Sequence, residues 1–166
     1  MLHHVSVGVA DVARAAQFYD PVLRALGYKR VLEFLPYGIG YGDKLPQFWV
    51  QLPHDQRAAT IGNGVHVAFN AASEAMISAF HRAALEAGGT DDGSPGPRPD
   101  YGPEYFGAFV RDLDGNKLEA VLVRLPAAAA PKKAARKKGG AKKTKKAGSA
   151  KRAAKGARGK KARKRR

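Results

Sequence analysis

Residues 4–27, HVSVGVADVARAAQFYDPVLRALG, align without a gap to residues 66–89, HVAFNAASEAMISAFHRAALEAGG, at a constant offset of 62 positions. Eight of the 24 aligned pairs are identical. The matches that an Ala-rich composition explains least well are His4/His66, Val5/Val67, Phe18/Phe80, Leu23/Leu85 and Gly27/Gly89. We therefore predict that the chain uses one supersecondary unit twice.

Each repeat begins with the pattern of a strand and continues with that of a helix. Residues 2–9 and 65–71 alternate apolar and other side chains, which is typical of a half-buried strand. Asp11 and Ser73 then stand at equivalent positions and are both good helix N-caps. Pro21 lies within the first helical segment, so we expect a kink or two short helices there.

The remainder of each unit has the pattern of strands. Further strands are predicted at residues 28–35, 37–41, 47–52, 105–111 and 117–123. The Gly- and Pro-rich residues 88–104 are expected to form a loop over a binding site, with room for one short strand. The prediction is an α+β fold of two βαβββ modules, at about residues 1–55 and 62–125, with helices packed on one side of curled, mixed sheets.

The charge of the chain is concentrated at one end. The 166 residues include 30 Lys and Arg and 14 Asp and Glu. Of the basic residues, 19 fall within residues 126–166, which contain no acidic residue, so residues 1–125 carry a net charge of −3. The last 41 residues also contain no Val, Leu, Ile or aromatic side chain. We therefore expect one domain over residues 1–125 and a disordered basic tail over 126–166.

The composition excludes several classes of protein. The chain has no Cys, which excludes disulfides, thiolate zinc sites and a Cys nucleophile. No apolar run approaches the roughly 18 residues that a membrane-spanning helix needs. The first residues, MLHHV, lack the basic and apolar regions of a secretory signal. A cytoplasmic location is the expectation.

The repeat suggests a metal site. His4 and His66 occupy the same position in the two units, so packing about a pseudo-twofold axis would bring both imidazoles toward that axis. Glu119 is the only acidic residue of the strand predicted at 117–123. Two His and one carboxylate with open positions suit Fe(II), Mn(II), Ni(II) or Zn(II). The alternative is that each His is a hydrogen-bonded structural residue at the end of an apolar strand.

The body of the chain resembles the vicinal oxygen chelate superfamily, which includes glyoxalase I, bleomycin resistance proteins and extradiol dioxygenases. Residues 1–27, GVHVAF at 64–69 and FVRDLDGNKLEA at 109–120 carry the resemblance, in the expected order. The resemblance extends over residues 1–125. It implies paired βαβββ modules that form a U-shaped, partly open barrel, with helices outside and the site inside. Family members are often dimers, which makes a homodimer an expectation by analogy alone.

His4, His66 and Glu119 match the family's metal-binding positions one by one. The resemblance thus implies a divalent metal ion that holds two neighbouring oxygens of a small oxygenated substrate, with lyase or dioxygenase chemistry. Glyoxalase I members carry a second carboxylate on the last strand of the first module. Here that strand reads QFWVQ, and Trp49 or a neighbour takes its place, with Gln51 a substitute only if the register permits. This departure favours a dioxygenase-like set of three ligands.

Two other functional classes remain open for the body. One is a non-catalytic protein that sequesters a small molecule, as the bleomycin resistance branch does. The other is a nucleic-acid-associated protein with an inactive enzyme domain.

Substrate contacts are predicted in the second module and on one strand of the first. Arg98, Tyr101 and Tyr105 could supply a cation for a carboxylate and two hydroxyl donors. Trp49 could line an apolar pocket wall. The alternative is that the first three pack over the sheet surface and that Trp49 belongs to the core.

The basic tail resembles, in composition only, the Lys/Ala-rich arms of linker-histone-like bacterial proteins. Such arms bind nucleic acid by neutralising phosphates, without reading bases. The candidate contacts are Lys132, Lys133, Lys142, Lys143, Lys160, Lys161, Arg165 and Arg166. A nucleoid association, or adhesion to another polyanion, is the corresponding expectation.

Overall fold

Both repeats fold as a strand, a helix and three further strands. The first module consists of β1 (Val5–Gly8), α1 (Val12–Arg24), β2 (Lys29–Phe34), β3 (Gly38–Gly42) and β4 (Phe48–Gln51). The second module consists of β5 (His66–Asn70), α2 (Glu74–Glu86), β6 (Thr90–Pro97), β7 (Tyr105–Arg111) and β8 (Lys117–Val123). The computed structural model describes residues 2–124, so the predicted tail and its candidate contacts lie outside the described residues.

The strands form two four-stranded mixed sheets. Their orders are β1-β4-β3-β2 and β5-β8-β7-β6. In each sheet the module's first strand pairs in parallel with its last strand, and the other pairs are antiparallel. The predicted α+β class and the two βαβββ units are confirmed. The two sheets are separate and are not closed into one barrel.

Side-chain caps begin both helices. Asp11 Oδ1 accepts a hydrogen bond of 2.7 Å from the backbone N–H of Arg14, and Ser73 Oγ accepts the equivalent bond at 3.3 Å. The first helical segment is one helix through Pro21 rather than two short helices. Val22 and Leu23 follow Pro21 directly and are fully buried, so tertiary packing holds the last turn in place.

The segment expected to be a loop between residues 88 and 104 contains an eight-residue strand, longer than the one short strand for which the prediction left room. β6 has eight residues, TDDGSPGP, and pairs with β7 through two register shifts that flank Gly93. Its sequence gives a weak strand signal because of its Gly and Pro content. Pro is tolerated there because β6 is an edge strand, where a missing N–H breaks no bond on the open side.

One core joins the two modules. Each helix packs against its own sheet, and α1 also contacts α2. Phe48 of β4 meets Phe69 of β5 edge to face, with ring centroids 5.1 Å apart. His81 of α2 is buried, with Nε2 2.7 Å from Asp91 Oδ1. No helix in residues 2–124 is both long enough and apolar enough to span a bilayer.

Candidate functional site

Three adjacent strands of the second sheet place polar side chains on one face. Alternate residues of a strand share a face, and the register aligns such residues across strands. His66 of β5 pairs with Lys117 of β8, which pairs with Arg111 of β7. In the next row, Glu119 lies between Ala68 and Phe109. The apolar residues between them, among them Leu118, Ala120 and Val110, are fully buried in the core on the other face.

Glu119 is the buried acid of this face. The residue is only 1% exposed, although its carboxylate lies among residues that line a cavity. The hydroxyl of Tyr105 donates to Oε1 at 2.6 Å, and Nε2 of His66 lies 3.2 Å from Oε2. The pKa of Tyr105 is raised by burial and further by the hydrogen bond and charge of Glu119. Tyr105 therefore stays protonated and remains a donor to the carboxylate.

The cavity beside Glu119 has a volume of about 790 Å³. Its lining includes the apolar residues Ile61 and Val65 and the cations Arg111 and Lys117. Both cations approach a single carboxylate oxygen, Asp92 Oδ2, at 3.3 and 3.0 Å respectively. Asp92 contacts both cations, and their side chains also line the cavity, where they can meet an anionic group of a bound molecule.

Aromatic rings complete the wall of this cavity. Phe109 lies beneath Lys117, whose Nζ is 4.8 Å from the ring centroid, and Arg98 Cζ lies 5.5 Å from the same centroid. Tyr101 packs edge to face on Tyr105, with centroids 5.2 Å apart. Of the predicted substrate contacts, Tyr101 and Tyr105 line the cavity. Arg98 instead stacks near Phe109 and donates to the carbonyl of Ser94 at 2.6 Å.

His66 and Glu119 have a spacing that a shared ion would accept. Nitrogen and oxygen ligands lie about 2.1 Å from a divalent ion, so neighbouring ligands are about 3.0–3.4 Å apart. The observed 3.2 Å falls within this range, and it also suits a plain ion pair. Within residues 2–124, however, no three His, Asp, Glu or Cys side chains gather as a metal site.

His4 does not join the other two predicted ligands within one chain. It is exposed at the start of the first sheet, where its Nδ1 lies 2.8 Å from Nδ1 of His3. The expected convergence of His4, His66 and Glu119 about an intramolecular axis is thus not formed by the described residues of a single chain. The physical reason is that β1 and β5 belong to separate sheets.

Comparison with known proteins gives the family. The family model described as "Glyoxalase/Bleomycin resistance protein/Dioxygenase superfamily" matches residues 1–120. The chain belongs to this superfamily. A solved structure of a glyoxalase/bleomycin resistance protein from Albidiferax ferrireducens T118 is 35% identical, covers 73% of this chain and 97% of its own, and has a TM-score of 0.65.

More distant superfamily structures share the fold. A glyoxalase-related enzyme from Fulvimarina pelagi is 21% identical over 73% of this chain and 86% of its own, with a TM-score of 0.57. A lactoylglutathione lyase from Agrobacterium tumefaciens is 16% identical over 73% of this chain and 92% of its own, with a TM-score of 0.52. No curated protein sequence matches the chain.

The two modules of this superfamily member differ at one decisive position. In the first sheet Ser6 pairs with Trp49, whereas in the second sheet the equivalent Ala68 pairs with Glu119. Trp49 thus occupies the position of Glu119, and Gln51 lies two residues further along the strand. Trp49 lines a second cavity on the first module, not the one beside Glu119.

Two cations and one ring of the site were not among the predicted contacts. All three lie within the segment FVRDLDGNKLEA. Phe109 pairs with Glu119 across the two strands, and Arg111 pairs with Lys117. Lys117 could have been predicted from the sequence, because it is two residues from Glu119 and so shares its face of the strand. Arg111 was harder to find, since its register with Lys117 depends on the length of the turn between them.

Proposed function

We propose that this protein is a metal-dependent enzyme that acts on a small, oxygenated, anionic molecule in the cavity beside Glu119. One observation carries the proposal. A carboxylate that is 1% exposed sits among the cavity residues, with one oxygen on Tyr105 and the other within 3.2 Å of His66. Burying a carboxylate is costly, and a purely apolar residue would serve stability better.

Tyr105 and His66 hold Glu119 in one orientation. The Tyr105 hydroxyl occupies Oε1, so Oε2 is the oxygen that faces His66. A carboxylate fixed in this way can serve as a metal ligand or accept a proton without first reorganising. Tyr105 is a positioning residue in this scheme, because it acts through Glu119.

Lys117 and Arg111 bind the anionic part of the substrate. Both line the cavity on the same face as Glu119, and they share Asp92 as their counter-ion. Tyr101, which packs on Tyr105 and is more than half exposed, also lines the cavity and can contact a bound molecule. Binding is therefore expected to weaken with rising salt and to favour molecules that carry a carboxylate or an equivalent anion.

A divalent ion would be held by His66 and Glu119, with His4 of a second copy as the third ligand. One chain offers two suitably spaced donors, and an exposed His at the equivalent repeat position remains on the surface. A bound ion would supply stabilisation of negative charge on two neighbouring oxygens of the substrate. The proposal includes a homodimer with two identical sites, as a twofold axis requires.

Mixed dimers of two single variants test this arrangement. His4→Ala and His66→Ala chains, carrying different affinity tags, are co-expressed, and the mixed dimer is isolated with both tags. If each site takes His4 from one chain and His66 from the other, the mixed dimer keeps one intact site and lacks both donors in the other. We expect half the wild-type zinc content in the mixed dimer and very little in either homodimer.

Two other outcomes of this experiment would contradict the proposal. A mixed dimer that holds no more zinc than the single variants would contradict a site shared between copies. Equal zinc in wild type and both variants would contradict the metal site altogether. In that case, anionic ligand binding that depends on Lys117 would favour the alternative, a non-catalytic binding protein.

We propose a second, separable function for residues 126–166, which is non-specific binding of nucleic acid. The observation that favours it is the density of 19 Lys and Arg in 41 residues without one acidic residue. Such a segment attracts a polyphosphate through counterion release. With no aromatic residue in the segment, it lacks the side chains on which bases stack. Duplex and single-stranded nucleic acid of any sequence should therefore bind.

A further inference from the structure

The turn before β5 brings an Asn-Gly pair to the cavity beside Glu119. Residues 62–65 read GNGV, and the N–H of the last residue donates to the carbonyl of the first at 3.1 Å. Gly64 has a φ of 86°, which favours glycine, and a Cβ atom added there would have no neighbour within 4 Å. Asn63 is exposed and belongs to the lining of the cavity. The pair is therefore open to water on the side where a ligand would bind.

An Asn that is followed by Gly can react with its own backbone. The next backbone nitrogen and the side-chain carbonyl carbon belong to neighbouring residues, so they can close into a cyclic imide without a second molecule. The nitrogen must be neither shielded by a side chain nor held in a hydrogen bond. Gly64 has no side chain, and its N–H donates to no other backbone group in the part of the chain that the structure describes.

The two other Asn residues of the chain lack this freedom. Asn70 is followed by Ala71, whose N–H donates to a strand neighbour at 2.8 Å. Asn116 donates from Nδ2 to the carbonyl of Gly8 at 3.1 Å, and the residue after it belongs to β8. Each is also followed by a residue with a side chain, which shields the backbone nitrogen. The structure thus distinguishes Asn63 from both of them.

We propose that Asn63 is a site of spontaneous modification, at which its amide is converted to a carboxylate in the cavity. A solvent base removes the proton of the Gly64 nitrogen, and this nitrogen forms a bond to Cγ of Asn63. The bond from Cγ to Nδ2 breaks, and the amide nitrogen leaves as ammonia with a proton from solvent. Water then opens the cyclic imide at either carbonyl carbon, which gives Asp or its isomer isoAsp. These steps consume water and need no oxidant or reductant.

The new carboxylate changes the charge of the cavity. Arg111 and Lys117 line the same cavity as Asn63. A negative charge near these cations competes with an anionic molecule for them, so the modified protein should bind anions more weakly. This consequence rests on the proposed function, which places an anion beside the two cations. The modification itself depends only on the turn.

Peptide mapping of the full-length protein tests the modification. One sample is freshly purified and the other is incubated at mildly alkaline pH, and both are digested in acid to prevent further reaction. Mass spectrometry then detects the gain in mass when an amide becomes an acid. We expect loss of the amide at Asn63 and retention of those at Asn70 and Asn116. Loss at Asn63 that is no faster than at Asn116 would overturn the proposal.

Two variants test the chemistry of the step. Gly64→Ala places a side chain beside the attacking nitrogen, so it should slow the loss of the Asn63 amide. Asn63→Gln keeps the glycine and the amide but needs a larger ring, so its amide should be retained. An unchanged rate in Gly64→Ala, or equally fast loss from Asn63→Gln, would exclude attack by the backbone nitrogen.

A titration with glycolate measures the effect on the cavity. The full-length Asn63→Asp and Asn63→Gln variants are compared, and the ¹H–¹⁵N amide signals of His66 and Lys117 report binding in the cavity. We expect the dissociation constant of glycolate to be about threefold higher for Asn63→Asp. Equal constants would refute the effect of the new charge. If glycolate moves neither signal in either variant, the proposed function fails, whereas the peptide map still decides whether Asn63 is modified.

Discussion

The hydroxyl of Tyr19 donates a hydrogen bond of 2.6 Å to Oδ2 of Asp112, and this buried contact joins the helix of the first module to the turn before the last strand of the second. Asp112 also accepts from the backbone N–H of Asp114 and Asn116, so it fixes the turn between β7 and β8. That turn sets the register in which Arg111 faces Lys117. The contact therefore connects module packing with the geometry of the candidate site.

Tyr19→Phe should destabilise the protein by about 1–3 kcal/mol, because a buried carboxylate loses one of its donors. Urea unfolding followed by circular dichroism measures the change. Tyr37→Phe is the matched control, since its side chain is mostly exposed, and it should change stability by less than about 0.5 kcal/mol. Equal effects of the two substitutions would contradict the structural role of the Tyr19 hydroxyl.

Alkaline pH should reveal the same contact. Burial raises the pKa of Tyr19 well above its ordinary value of 10.0, and the negative charge of Asp112 raises it further. The folded state therefore favours the protonated phenol, and the stability that this group contributes is present below pH 10.0. It is lost as the pH rises above that value toward the folded pKa. Tyr19→Phe should flatten this part of the stability profile relative to wild type.

Acidic pH should weaken a second contact, within the first module. Burial tends to raise the pKa of Asp20, but hydrogen bonds from Arg30 and Tyr41 outweigh it, and the pKa lies below its ordinary value of 3.8. The stability from this group is therefore present above pH 3.8 and lost as the pH falls through the folded pKa. Asp20→Asn should reduce the loss of stability in acid, measured by urea unfolding at several pH values, whereas Asp43→Asn, at an exposed position, should not.

Glu119→Gln should lower zinc affinity at least about tenfold while the fold persists. The amide keeps the volume of the side chain and can still accept from Tyr105, but it has lost its charge. Elemental analysis after dialysis, together with a thermal melt, measures both effects. Glu86→Gln, at an exposed position of α2, is the control. Unchanged zinc content in Glu119→Gln would exclude Glu119 as a ligand.

Gly40→Ala should destabilise the first sheet by about 1–3 kcal/mol. Its new Cβ atom would lie 2.6 Å from Cβ of Pro46 and 3.0 Å from the ring of Trp49. Gly8→Ala is the control, because a Cβ atom there meets its neighbours at ordinary distances of 3.5 Å or more. Urea unfolding gives the difference in stability. A shifted indole signal in Gly40→Ala alone would confirm that the glycine makes room for Trp49.

Removal of residues 126–166 should abolish most nucleic-acid affinity and leave the zinc content of the body unchanged. The truncated chain has a net charge of −3, so it should repel a polyanion. For the full chain, affinity for a short duplex should fall roughly 10³-fold between 50 and 200 mM salt if about six phosphates are contacted. Fluorescence anisotropy measures the affinity for the duplex and its salt dependence, and elemental analysis measures the zinc content. Unchanged duplex binding after truncation would assign the interaction to the body instead.

The elements of the fold could be predicted from local sequence because they depend on local patterns. Alternation identifies β1 and β5, and the N-caps Asp11 and Ser73 begin both helices as predicted. The extent of β6 was underestimated, since Gly and Pro weaken its propensity and pairing with β7 makes it a strand of eight residues. At Pro21 a kink or two short helices were expected. The burial of the residues after it keeps α1 as one helix.

The sequence by itself determined the duplicated architecture and the contrast between an acidic body and a basic tail, since repeat spacing and charge are local properties of the chain. It also singled out Glu119 and His66, which the structure places 3.2 Å apart. Only the tertiary structure decided that His4 lies away from them, because that depends on how two sheets pack. The same is true of Trp49, whose place opposite Gly40 follows from strand register, which no local pattern encodes.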